Sequence, residues 1–332
     1  DTTALPANEK LALTKMVEAA KIFDALYYRQ VAPLNETYLA ELVTDASPLG
    51  RARLHYFALN KGPWSRLDEN RPFIPGVGPK PPGGNFYPED ATREEIEKWM
   101  NSLPPDDKSA ATGFFTTVRR DATGQLMLVP YSVEYQSELA QAARLLNEAA
   151  AATTQSTLRN FLEKRARAFL TNDYYDSDMA WMELDATIEP TIGPYETYED
   201  EWFGYKAAFE AFITVRDDAE TSKLKKFSAE LQGLENALPI DKKLRNAKIG
   251  ALAPIRVVNV VYTSGDANRG VQTAAFNLPN DDKVIKEKGS KRVMLKNVQQ
   301  AKFDNVLMPI SKIALSPAAQ AKVSFDPFFT HI

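Results

Sequence analysis

The sequence predicts an α+β fold in two lobes, and three observations support this prediction. The chain has 332 residues, which is too long for one ordinary hydrophobic core, so two domains or lobes are expected. Apolar residues recur at helical spacing over residues 8–30 and 134–172. Residues 113–131 and 255–280 instead combine β-branched and aromatic residues with turn signals. A chain with both kinds of segment is expected to place helices beside a sheet.

In the N-terminal third, short helices are expected over three ranges, 8–30, 36–44 and 50–60. Residues 61–91 contain seven prolines and five glycines, so they are expected to form a long segment without regular structure. Four aromatic residues lie in this segment: Trp64, Phe73, Phe86 and Tyr87. They need a place to pack, which indicates an ordered segment rather than a flexible linker. A capping box at Thr92–Glu95 then predicts a helix to about Ser102.

The middle of the chain is expected to hold a β-hairpin followed by two helices. The hairpin covers residues 113–131, with its turn at Asp121–Gly124. The helical pattern of residues 134–172 has a break near Thr153–Ser156, which separates the two helices. The residues expected to be buried are Leu139, Ala142, Ala143, Leu145, Leu146 and Ala149 on the first helix, and Leu158, Phe161, Leu162 and Phe169 on the second.

The densest mixture of acidic and aromatic residues lies in residues 188–215. Solvated surfaces seldom carry so many rings, and cores seldom carry so many carboxylates. Acids among rings are typical of a polar pocket with apolar walls. The alternative is a strand, a turn and a helix at the edge of the core, with the acids facing water. Residue types alone favour this alternative.

Toward the C-terminus, residues 217–250 are polar and charged and are expected to be helical. Residues 255–265 carry the strongest strand signal, and residues 271–280 are expected to be their antiparallel partner. The basic run 283–292 has no interleaved aromatic residues, so it is expected to be a solvated loop rather than a nucleic-acid site. Helical character returns from Gln299.

Composition excludes several classes of site and partner. Cysteine is absent, which rules out disulfides, thiolate metal sites and a cysteine nucleophile. The two histidines, His55 and His331, do not form an HExxH pair, so a complete histidine-based zinc site is not expected. A net charge of −4 with mixed signs gives no reason to expect a nucleic-acid partner. No apolar run reaches the ~18 residues of a membrane span.

Both ends of the sequence suggest processing or a longer natural chain. The first residue is Asp1 rather than Met, as expected for a mature form after signal removal or for a trimmed protein. The first origin favours a periplasmic or secreted protein, and a cytoplasmic location is the alternative. Residues 325–332 stop inside an apolar run, whereas domains usually end at exposed polar positions. We therefore expect that more chain follows in the natural protein.

Two motifs resemble the dipeptidyl peptidase III family of zinc peptidases, and more closely its shorter bacterial branch. Residues 192–212 contain a Gly–x–x–Glu–[Ser/Thr]–Tyr–x–Asp pattern like that of the family, ahead of a Phe–Glu–x–Phe run. Asn277-Leu278-Pro279-Asn280 resembles the family's Asn–x–Pro–Asn run, and Lys296-Asn297-Val298 follows. Residues 62–88 and 217–227 are similar to the bacterial branch, so the resemblance covers most of the chain.

The resemblance implies two lobes around a wide cleft, one built on a β-barrel and the other mostly helical and carrying zinc. Peptide would bind in the cleft as an added strand. By position, Glu196 would receive the free α-amine of the peptide and Tyr198 would contact it near the scissile bond. Asn277 and Asn280 would hold the N-terminal residue and the peptide backbone. A carboxylate suits an ammonium group, and Asn both donates and accepts, although a turn after a strand is the alternative for the two asparagines.

The sequence departs from the family at the zinc site. The HExxH-type motif and the later glutamate ligand are not found in it. In the bacterial branch a segment like residues 325–332 runs directly into that motif, so His331 does not correspond to a zinc histidine. We therefore expect no zinc on this chain, no catalytic residue within it and no dipeptidyl peptidase activity of the chain alone. The expected partners are oligopeptides with a free N-terminus and a missing C-terminal catalytic portion.

The resemblance also suggests how the chain divides. The β-rich, substrate-binding lobe is expected to combine residues 1–216 with 254–299. A partial helical lobe would then combine residues 217–253 with 300–332.

Two other functions stay open at this point. The chain would be a metal-free peptide-binding or scaffolding protein if it is complete as given. A hydrolase that uses Glu196 and Glu210 as an acid–base pair is the third possibility.

Overall fold

The computed structural model describes residues 2–228, 230–247 and 255–325. Its helices are α1 (Ala7–Val31), α2 (Asn35–Thr44), α3 (Pro48–Asn60), α4 (Arg93–Ser102), α5 (Pro105–Ala111), α6 (Tyr131–Glu134), α7 (Gln136–Ala152), α8 (Ser156–Thr171), α9 (Tyr175–Met182), α10 (Asp218–Ser228), α11 (Leu231–Ala237), α12 (Asp282–Lys288), α13 (Lys296–Lys302), α14 (Met308–Ala314) and α15 (Pro317–Gln320). Its strands are β1 (Trp64–Ser65), β2 (Arg71–Pro72), β3 (Thr116–Arg120), β4 (Leu126–Pro130), β5 (Thr191–Glu196), β6 (Ala208–Arg216), β7 (Arg256–Gly265), β8 (Ala275–Leu278) and β9 (Lys291–Leu295). This mixture confirms the predicted α+β class. Within the described residues, no helix has the length and apolar character needed to cross a membrane.

Five strands form the central sheet, in the order β5–β6–β7–β9–β8. Neighbouring strands are antiparallel, except that β7 and β9 run parallel. Over the part of the chain that the structure describes, the sheet is open, with β5 and β8 at its edges. The barrel that the resemblance implies is therefore not closed by these strands.

Two predictions for the C-terminal part are wrong. Residues 271–280 contribute β8, but β8 pairs with β9, which lies between β8 and β7. The basic run 283–292 forms α12 and the start of β9 rather than a solvated loop. Alternate residues of β9 are buried, which places it inside the sheet despite its charges. The first of them, Lys291, has its ammonium group 4.3 Å from the Trp181 ring centre and 3.4 Å from a Glu189 carboxylate oxygen.

Residues 188–215 contain β5 and most of β6. The interpretation of this stretch as a strand, a turn and a helix is therefore wrong for the helix. Strand β6 is paired on both edges, and its first seven residues are buried. A strand that is buried on both faces has a continuous apolar sequence instead of an alternating one. Such a short run cannot be distinguished from a buried helix by periodicity.

Helix α1 packs against β6 and β7, and α7 and α8 pack behind it. Phe209 of β6 meets Phe23 of α1 and Phe169 of α8, with ring centres 4.9 and 6.3 Å apart. The ten residues predicted to be buried on α7 and α8 are all buried. The predicted hairpin is formed by β3 and β4. Trp64 and Phe86 are buried in the same core and anchor the largely irregular segment 61–91.

Candidate functional site

A cleft of about 550 Å³ lies beside the C-terminal end of β5. All four residues predicted to bind substrate line it: Glu196, Tyr198, Asn277 and Asn280. They come from three places in the chain, namely the end of β5 with its following loop, β8, and the turn between β8 and α12. The fold thus brings together residues about 80 positions apart, and the volume lies within the ~300–1,000 Å³ range of small-ligand sites.

A β-bulge directs Glu196 toward the cleft side of the sheet. Pro194 pairs with Phe209, but Glu196 pairs with Ala208, so Tyr195 is an extra residue in β5. Side chains alternate between the two faces of a strand, so the extra residue moves Glu196 to the face that carries Ala208 and Glu210. An unbulged β5 would place Glu196 on the opposite face.

The Glu196 carboxylate is half-buried and is unpaired within the described part of the chain. Among the described residues, none donates a hydrogen bond to it or forms an ion pair with it. Burial raises its pKa to about 6, and the nearby Asp266 carboxylate adds to this effect, while Arg269 opposes it. An unpaired carboxylate that is partly desolvated in a cleft is suited to receive a cation.

A second carboxyl group, that of Glu210, lies beneath Glu196. Glu210 is buried, and its Oε1 has no hydrogen-bond partner in the described part of the chain. Burial raises its pKa well above the ordinary value, and the Asp266 and Glu196 carboxylates raise it further. Burial thus favours the neutral form of Glu210, and the residue does not contribute to the lining of the cleft.

One wall of the cleft rests on the fully buried carboxylate of Glu199. Its Oε1 accepts hydrogen bonds from Tyr27 (3.0 Å) and Arg66 (2.5 Å), and its Oε2 lies 3.1 Å from the Lys80 ammonium. The Tyr27 hydroxyl also lies within hydrogen-bond distance of Asp266, 2.7 Å from its Oδ1. Burial alone would raise the pKa of Glu199, but Arg66 and Lys80 hold it at about 2. Glu199 therefore stays ionised and fixes the cations around it.

The other three predicted residues differ in how firmly they are held. Asn280 donates from Nδ2 to the carbonyl oxygen of Tyr195 at 2.7 Å, which ties its turn to the bulge of β5. Asn277 is exposed on the edge strand β8. Tyr198 is 68% exposed, and the Arg269 guanidinium lies 5.9 Å from its ring centre. Asn277 and Tyr198 thus line the cleft with side chains that are open to solvent.

The bulge is supported from behind by a buried arginine. Arg165 of α8 is fully buried and donates to Asp178 of α9 at 2.5 Å. Its guanidinium carbon lies 5.3 Å from the Tyr174 ring centre and 5.5 Å from the Tyr195 ring centre. Tyr195 is therefore fixed on its ring side by Arg165 and at its carbonyl by Asn280.

The described residues do not fit the zinc ion that the resemblance implies. Over residues 2–228, 230–247 and 255–325, no three acidic or histidine side chains converge as metal ligands. Of the carboxylates at the cleft, Glu199 and Asp266 are already paired with cations and with Tyr27. His55 is exposed on α3, and His331 lies outside the described residues.

Sequence reasoning missed three charged residues of the cleft: Arg66, Asp266 and Arg269. Arg66 lies in the Pro- and Gly-rich segment, where only the aromatic residues were considered. Asp266 and Arg269 lie between the two segments predicted to be strands, residues 255–265 and 271–280. Their spacing of three residues, which suits an ion pair on a helical turn, was the available signal.

Three comparisons relate the chain to known proteins. The sequence model of peptidase family M49 matches residues 114–321. Dipeptidyl-peptidase III from Corallococcus sp. strain EGB is 66% identical, with a TM-score of 0.93 over 100% of this chain and 62% of that chain. DPP III from Caldithrix abyssi is 47% identical, with a TM-score of 0.95 over 100% of this chain and 63% of that chain. Nudix hydrolase 3 of Arabidopsis thaliana is 41% identical over 379 residues, or 99% of this chain and 49% of the plant protein. The chain spans less than two thirds of the length of each of these relatives.

Proposed function

Because the chain belongs to peptidase family M49, the dipeptidyl-peptidase III family, we propose that it is the peptide-binding part of a zinc-dependent dipeptidyl peptidase. In this proposal the cleft holds the N-terminus of an oligopeptide, and Glu196 pairs with its free α-amine. Tyr198, Asn277 and Asn280 contact the residues that follow. The zinc ligands and the catalytic residues would come from a further portion of the protein, which corresponds to the part of the relatives that this chain does not cover.

The unpaired Glu196 carboxylate is the observation that carries this proposal. Most buried carboxylates near the cleft already have cationic partners, whereas Glu196 has none among the described residues. A peptide ammonium would supply that partner through a charge-assisted hydrogen bond. The amide groups of Asn277 and Asn280 stand in the same cleft and suit an extended peptide backbone.

We expect acetylation of the peptide N-terminus to weaken binding to the chain by at least about tenfold, because it removes the charged partner of a desolvated carboxylate. Isothermal titration calorimetry with matched free and acetylated tetrapeptides measures this. Glu196→Gln should abolish the difference by weakening only the free-amine peptide. Glu97→Gln, at an exposed position of α4, is the control and should leave it intact. Equal affinities of both peptides for the wild-type chain would refute the proposed role of Glu196.

Binding of free-amine peptides should also depend on pH. The pKa of Glu196 is about 6, so about nine tenths of it is ionised at pH 7 and about one tenth at pH 5. Only the ionised form pairs with an ammonium, so affinity should fall about tenfold from pH 7 to pH 5. In Glu196→Gln the same change of pH should have little effect. A wild-type affinity that is constant over this range would contradict the role of this carboxylate.

The two alternative functions have less support. A hydrolase with Glu196 and Glu210 as its acid–base pair requires both groups to reach substrate, and Glu210 is buried outside the cleft lining. A metal-free binding or scaffolding protein would show the same peptide affinity as the proposed binding part. The mass of the native protein distinguishes these two cases, since a longer native chain supports the peptidase.

A further inference from the structure

Two arginines in the cleft have hydrogen-bonding capacity that the protein does not use. Arg66 donates from Nε to the Asn60 carbonyl oxygen at 3.2 Å and from one terminal nitrogen to Glu199. Arg269 donates from Nε to Asp266. Among the described residues, no acceptor meets the second terminal nitrogen of Arg66 or either terminal nitrogen of Arg269. Both side chains line the cleft, so these donors are available to a ligand there.

The two arginines are held next to each other by the fold. The loop after β7 approaches the end of α3, where the Gly270 amide donates to the Leu59 carbonyl oxygen at 2.7 Å. At Gly270 an added Cβ would lie 3.1 Å from Cβ of Arg66, and φ is +54°, so the close approach depends on glycine. Glu199 contacts both guanidinium groups from the buried side, at 2.5 Å for Arg66 and 3.7 Å for Arg269.

The lining of the cleft carries charges of both signs. Glu196 presents an unpaired negative charge, while Arg66 and Arg269 present guanidinium groups that are only partly satisfied. Ion pairs with Glu199 and Asp266 hold the two arginine side chains in place. A restrained guanidinium binds a carboxylate with good geometry, because its parallel N–H groups match the two carboxylate oxygens.

We propose that Arg66 and Arg269 form a carboxylate-binding site, so that the preferred ligands are peptides that carry a carboxylate close to a free α-amine. The inference rests on the proposed function, because Glu196 would fix the position of the N-terminus. The carboxylate has two sources, either an acidic side chain on the first or second residue or the C-terminus of a short peptide. Successive residues of an extended peptide advance by only ~3.3–3.6 Å, so either source keeps the carboxylate within a few residue lengths of the amine, and Glu196 and both arginines line the same cleft.

The test compares tetrapeptide amides at pH 7 by isothermal titration calorimetry with the whole 332-residue chain. Tetra-alanine amide is the reference, and two variants carry Asp at the first or the second position. Tri-alanine with a free C-terminus forms another arm, and every peptide is also prepared with an acetylated N-terminus. We expect at least one carboxylate-bearing peptide to bind about tenfold more tightly than the reference, as a charge-assisted bidentate contact would give. The Asp arms and the tri-alanine arm distinguish the two sources.

Substitutions then assign the preference to the two arginines. Arg269→Lys and Arg66→Lys keep the charge next to Glu199 but remove the planar pair of donors. They should reduce the preference for the carboxylate at least threefold, where the preference is the ratio of the affinities of the carboxylate-bearing peptide and tetra-alanine amide measured on the same variant. Arg120→Lys, at the C-terminal end of β3 and outside the cleft lining, is the control, since its guanidinium also pairs with carboxylates, those of Asp90 and Glu95. Circular dichroism verifies that each variant is folded.

The outcomes separate this inference from the proposed function. If acetylation weakens binding but the carboxylate gives no preference, or if both lysine variants keep the full preference, the carboxylate site is wrong and the amine site stands. If acetylation has no effect on any peptide, or no peptide binds, the proposed function fails and the inference fails with it.

Discussion

Replacing Gly265 with alanine is expected to lower the free energy of unfolding by about 3 kcal/mol or more. Gly265 ends β7 with φ +63°, where a side chain is unfavourable by ~1–2 kcal/mol. The added Cβ would also lie 2.1 Å from the carbonyl oxygen of Phe209. Phe209 is part of the buried central strand β6, so its backbone cannot move away without disturbing the sheet. The next residue, Asp266, is in the cleft, so any folded variant should also bind peptide more weakly.

Gly124→Ala provides the matched control for this prediction. Gly124 lies in the turn between β3 and β4 with φ +83°, and an added Cβ would meet nothing within 4 Å. Gly124→Ala should therefore lower the free energy of unfolding only by the cost of a side chain at positive φ, ~1–2 kcal/mol. Urea unfolding followed by circular dichroism measures both variants. Similar losses for the two would mean that backbone strain, and not the contact with Phe209, determines the cost.

Local patterns in the sequence were sufficient for most helices and for the hairpin of β3 and β4. Helices α1, α7 and α8 and the strand β7 have long periodic or β-branched sequences, and these signals depend only on residues close in the chain. Resemblance to a family located the four candidate binding residues, and the fold places all four around one cleft. Their roles in binding remain predictions.

Features that depend on distant residues were not predictable from these patterns. The position of β9 between β7 and β8 depends on strand pairing across the sheet, and nothing in its own sequence states which strand it joins. The bulge at Tyr195 reverses the face of the sheet on which Glu196 lies. The alternation of residues along the sequence of β5 does not show this change of face. Arg66 reaches Glu199 across 133 positions of the chain, and single-sequence periodicity has no means to connect them.

Removal of the charge of Glu199 is expected to be the other most damaging change. In Glu199→Gln the shape of the side chain is kept, but Arg66 and Lys80 lose their shared buried partner. Loss of one partner of a buried ion pair leaves the other charge uncompensated, which costs about 3–5 kcal/mol. The control, Glu201→Gln, removes a carboxylate that also contacts Lys80, at 2.8 Å, but is 42% exposed. It should cost at most about 1 kcal/mol, because water screens an exposed pair.

The pH dependence of the stability difference between wild type and Glu199→Gln tests whether the lost charge causes that difference. The pKa of Glu199 is about 2 in the folded protein against an ordinary value of 4.5, so its ionised form is favoured by folding. A carboxylate with a lowered folded pKa contributes fully above the ordinary value and loses its contribution as the pH falls toward the folded pKa. The stability gap between wild type and Glu199→Gln should therefore be constant from pH 7 to about pH 5 and shrink below about pH 4.5. Urea titrations at pH 7, 5, 4 and 3 measure the gap. A gap that persists unchanged at pH 3 would identify lost packing or hydrogen bonding, rather than charge, as the reason that Glu199 stabilises this wall of the cleft.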